Sequence, residues 1–141
     1  MKTLIILLIA TLSFASDTVH FQSKILEKIF TDISTPKKLK IWSDDKKLLN
    51  ELKDHSILNM VDNICDSNLV IIKNKKHLSQ KCKADFIFVL KYNLLNEIPQ
   101  SFGAMFWKKG RPNIVIIEPR IDAQHISISK DLEPYLEERV W

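Results

Sequence analysis

The chain has 141 residues, 45% of them hydrophobic and 27% charged, with two glycines, two cysteines, five prolines and a formal net charge of +4. That length makes one domain. Two glycines leave almost no material for phosphate-cradling loops, two cysteines and four histidines cannot furnish a cysteine-rich zinc module, and a cation set whose only arginines are Arg111, Arg120 and Arg139 favours solubility over bidentate phosphate or base recognition.

Met1-Lys2 supplies a cationic start, Thr3 to Leu12 an apolar run, and Ser13-Phe14-Ala15 a small-x-small close. This pattern predicts a cleavable secretory signal over residues 1–15 and an exported single domain over 16–141. The apolar run is far short of the roughly 20 residues that cross a bilayer, and no lipobox cysteine follows it. The expected mature chain is mildly basic, too weakly and too evenly for nucleic acid, while attraction to an anionic membrane surface stays open.

Along the chain, Val19, Ile25, Leu26, Ile29, Phe30 and Ile33 recur at helical spacing, which predicts an amphipathic helix from Asp17 to Ile33, stopped by Ser34-Thr35-Pro36. Leu39 to Trp42 reads as a short strand. Ser43-Asp44-Asp45 then caps a second helix whose buried face is Leu48, Leu49 and Leu52. Leu69 to Ile72 and Phe86 to Leu90 are unbroken apolar runs, the mark of parallel strands covered on both faces, with a polar crossover over Lys73 to Lys83. Asn93 to Ser101 reads as a loop. Ala104 to Lys108 and Arg111 to Glu118, around Lys109-Gly110, predict an antiparallel hairpin. Pro119 opens a short helix, Ile126 and Ile128 alternate with serines in an extended segment, and Ser129 caps a last helix with Leu132, Tyr135, Leu136 and Val140 as its stripe. The expected class is α/β: a mixed, mainly parallel sheet of about five or six strands with helices on both faces and a C-terminal antiparallel hairpin.

Cys65 and Cys82 each lie four residues before an apolar run, so parallel neighbouring strands in equivalent register would place them side by side, within disulfide reach. In an oxidising compartment such thiols pair. A structural bridge is the first reading; a redox-sensing bridge and a free pair are the others. His20, His55, His77 and His125 show no metal-ligand spacing, and no nucleophile elbow or serine, histidine and acid set stands out. The sequence thus predicts no catalytic residues, no metal and no cofactor. Recognition falls to the hairpin, where Phe106, Trp107, Lys108, Lys109 and Arg111 combine rings and cations. Alternation puts Phe106 and Trp107 on opposite faces, so one ring is expected in the core and the other exposed or at an interface. The alternative is a small solute-binding module, with Ser43, Asp44 and Asn93 at the carboxyl ends of strands lining a crevice, as in half of a periplasmic binding protein.

Gly103-Ala104-Met105-Phe106, Gly110-Arg111, Ile114-Val115-Ile116 and Ile126-Ser127-Ile128-Ser129-Lys130-Asp131-Leu132, after alternating strands and helices, resemble the YfiR/HmsC-like family of small periplasmic proteins. The resemblance implies a periplasmic, non-enzymatic repressor that binds the periplasmic domain of an inner-membrane diguanylate cyclase. A homodimer is one form such a module can take.

Overall fold

A computed structural model describes residues 18–141. The proposed signal segment and Asp17 lie outside the described residues. Helix α1 covers 18–31 and turns Leu26, Ile29 and Phe30 into the core. Ile33 is not its last turn: it pairs with Ile128 in a separate two-stranded sheet, where β1 (Ile33–Ser34) runs antiparallel to β7 (Ser127–Ile128). Strand β2 is Ile41–Ser43. Asp45 then caps α2 (Lys46–His55), its carboxylate accepting from the Leu48 amide at 3.3 Å, and Leu48, Leu49 and Leu52 are buried as their spacing predicts.

The main sheet has six strands in the order β2, β3 (Leu69–Ile72), β4 (Phe86–Val89), β5 (Ser101–Lys108), β6 (Arg111–Ile117) and β8 (Leu136–Glu137). The first four are parallel, β5 and β6 form the hairpin, and β8 runs parallel to β6. The expected α/β class is therefore the fold. Every residue of β3 and β4 is buried, and alternate side chains feed two separate cores. Leu69, Ile71, Phe86 and Phe88 meet α1 and α2 on one face. Val70, Ile72, Ile87 and Val89 meet Leu94, Leu95 and Ile98 on the other.

Beyond β2 the chain makes one more parallel bridge, Met60 to Ile41. From β2 the chain therefore steps outward to Met60, then back across β2 to β3, and onward to β4 and β5. That is the order of one class of doubly wound sheets, with its reversal between β2 and β3. The packing agrees with right-handed crossovers: the outward step carries α2 on the first face, while the return steps carry Ile64, Leu78 and the Leu94 turn on the second.

Two segments depart from expectation. Residues 93–101 are not a loop throughout, since Leu94–Glu97 form a helical turn, α3, and β5 already begins at Ser101. The apolar trio Leu94, Leu95 and Ile98 buries that turn against the second core, and Pro99 stops it. The last helix is a 3-10 helix, Lys130–Tyr135, with Pro134 inside it, whose ring would clash with the carbonyl four residues back in an α-helix; Ser129 occupies the cap position without a side-chain cap bond. Its expected stripe is split: Leu132 belongs to the first core, Leu136 enters β8, and Val140 packs against the second core.

Candidate functional site

The hairpin turns at Lys109 (φ 52°) and Gly110 (φ 74°), the paired positive values of the two-residue turn that follows the twist of its strands. Cross-strand partners run from Lys108 opposite Arg111 to Gly103 opposite Ile116. Met105 and Ile114 belong to the first core, so Trp107, two residues beyond Met105, lies on that same face. Phe106 lies on the other, packed on the second core, its ring 5.2 Å from that of Tyr92. The expected split of one packed ring and one exposed ring is what the hairpin has. Trp107 is 41% exposed, and its ring stands 6.4 Å from Phe21 of α1, itself 51% exposed.

On the same face, lined by neither ring, runs a groove of about 460 Å³ between α1, β6 and the C-terminal 3-10 helix, floored by Ile25, Ile29, Ile114 and Leu132 and walled by Tyr135. Lys24, Lys28 and Asp131 form its rim. Lys28 bonds Asp32 at 2.9 Å and Asp131 at 3.1 Å, and these acceptors, Asp32 first, hold its ammonium pKa above the usual lysine value. At the tip, Lys108, Lys109 and Arg111 are exposed, and none has an ion-pair partner among the described residues. Five sequence-predicted residues thus fall on one hairpin, but only Trp107 lies on the groove's face of the sheet; alternation puts Lys108 and Arg111 on the face of Phe106, and Lys109 stands in the turn. Ile25 and Tyr135 enter the sequence reading only as helix-stripe residues, Ile114 only as part of a strand, and Phe21 not at all. The helical offset from Phe21 to Ile25 was legible, whereas the meeting of α1 with β6 and Tyr135 is tertiary.

Ser43, Asp44 and Asn93 do not form one crevice. Ser43 is buried, its hydroxyl donating to the Ile71 carbonyl at 3.0 Å. Asp44 stands at the β2–β3 reversal, where doubly wound sheets bind ligands, but its carboxylate already accepts from the Lys73 and Asn74 amides at 2.8 and 2.9 Å and from His77 Nδ1 at 2.8 Å. The loop after β3 is thereby pinned over the strand ends. Asn93 follows β4, with β3 in between, and donates to Glu97.

Cys65 and Cys82 are bonded, with Cα atoms 5.0 Å apart. The register that pairs Leu69 with Phe86 explains it: both cysteines sit four residues upstream of equivalent positions. The bond ties the 3-10 turn Ile64–Asp66 to the loop over the second core and points to an oxidising compartment. On that same side of the sheet, Arg120 donates to the Leu95 and Ser101 carbonyls at 2.8 and 2.9 Å, fixing α4 (Glu118–Ala123) to the start of β5; burial lowers its pKa from the usual arginine value. Among the described residues no group of three metal-ligating side chains occurs, and no helix is long and apolar enough to cross a membrane. No family model, curated protein or solved structure matches the chain.

Proposed function

We propose that the chain works by binding a protein partner through the hairpin groove, as a periplasmic, non-enzymatic regulator of the YfiR/HmsC-like kind that holds an inner-membrane signalling enzyme of the diguanylate cyclase type in check. The observation that carries the binding reading is the Trp107–Phe21 pair, two large half-exposed rings on the same face of the sheet as an apolar groove, near a hairpin tip whose three cations have no ion-pair partner among the described residues. Exposed aromatic surface gains about 25 cal/mol per Å² when a partner covers it, and tryptophan and arginine are the side chains that most often dominate such contacts. The disulfide supports an exported life, and the export pattern of residues 1–15 supports the periplasm.

The partner is expected to be a membrane protein whose exposed domain carries an acidic, partly apolar surface. Affinity capture from solubilised membranes should recover a cyclase with the wild-type chain and lose it with Trp107→Ala, and deletion of the gene should raise cyclic-di-GMP. Capture of no cyclase, together with unchanged cyclic-di-GMP, overturns the regulatory reading.

A further inference from the structure

The outer edge of β6 is only partly used. Strand β8 pairs with Ile116 and Ile117 and nothing nearer the turn, so among the described residues the edge from Arg111 to Val115 has no neighbouring strand. The register decides which groups that edge offers. Because Lys108 and Arg111 flank a two-residue turn, they exchange both hydrogen bonds, as do Phe106 with Asn113 and Ala104 with Val115. The intervening residues Pro112 and Ile114 point their backbone groups away from β5. Proline has no amide hydrogen, which blunts the edge at position 112. One full donor and acceptor pair, that of Ile114, therefore faces outward, with the Pro112 carbonyl beside it.

Ile114 also floors the groove. The open backbone pair and the apolar trough are two sides of one residue, and a strand laid along β6 from the turn toward β8 would seat alternate side chains in the trough between Ile25 and Tyr135. We propose that this edge receives an extended segment of a partner protein, added to the sheet as a strand, with apolar residues alternating with acidic ones. The acidic character follows from the tip: Lys108, Lys109 and Arg111 flank the open edge without ion-pair partners among the described residues. A second copy of this chain fits badly, since pairing two β6 edges with β8 in place on each brings the two cationic tips together.

This inference rests on the reading that the hairpin face binds protein, and its test separates the two. The oxidised full chain is titrated with a capped peptide of alternating valine and glutamate and followed by amide NMR and hydrogen exchange. The Ile114 amide should shift and exchange at least about tenfold more slowly at saturation. The same peptide methylated on alternate backbone nitrogens, its lysine counterpart and anionic phosphatidylglycerol vesicles should leave that amide unchanged. Ile114→Pro deletes the outward donor while sparing the β5 ladder and should weaken peptide binding about tenfold; Arg111→Glu, at the exposed tip where folding is not at stake, should shift preference to the lysine peptide. Equal binding by the methylated peptide, no response at Ile114 with millimolar peptide, or uptake by the vesicles at the same amide overturns the strand-addition proposal. Capture of a cyclase in cells is decided separately and survives that outcome.

Discussion

Strands β3 and β4 have a neighbour on each edge and a core on each face, whereas burial along the β5–β6 hairpin falls away toward the turn, until Trp107 and the residues after it stand in water. Both regions are apolar in sequence. In the first, alternate side chains fill opposite cores, so any truncation leaves a cavity. In the second, burial falls off toward the turn, and the same kind of residue becomes surface available to a partner. Burial is concentrated at the centre of the sheet, and the proposed recognition surface lies at its end.

The largest expected effect lies at the centre. Phe88 is fully buried, its ring 5.2 Å from that of Phe30 and 5.6 Å from that of Phe102, so Phe88→Ala should cost about 3–5 kcal/mol in denaturant unfolding. A cost under about 1 kcal/mol would mean that the two-faced core does not dominate stability. Next comes the bond that closes the second core. Replacing Cys65 and Cys82 by serine opens a loop with a sequence separation of 17, expected to cost about 3 kcal/mol and read as a lower melting temperature for the double variant. The smallest stability effect belongs to the hairpin: Trp107→Ala should change unfolding by less than about 1 kcal/mol while removing partner capture. A large loss of stability there would recast Trp107 as a core residue and erase the contrast.

Much of the centre was legible because its signals are local. Leu69 to Ile72 and Phe86 to Val89 announce two-faced strands by lacking polar residues, and the equal offsets of Cys65 and Cys82 encode their register. The Lys109-Gly110 turn marks the hairpin in the same way. What escaped depends on distant partners. The Met60 bridge is a single residue beside Ile41, and β1, β7 and β8 are two residues each, too short for any periodicity. The last helix misled because Leu132 and Leu136 keep helical spacing while the ring of Pro134 between them would clash with the carbonyl four residues back in an α-helix. The groove was invisible for the same reason, since Phe21 and Trp107 lie 86 positions apart along the chain and meet only when α1 crosses the hairpin.

The hairpin end is the proposed surface for the partner. A photo-crosslinking amino acid placed in living cells at Trp107, and separately at Ile57, an even more exposed apolar position outside the groove, tests it most directly. Position 107 should yield a discrete adduct with one membrane protein that Arg111→Glu diminishes, and position 57 should yield none. Equal adducts from both positions, or an adduct from 57 alone, would contradict the account.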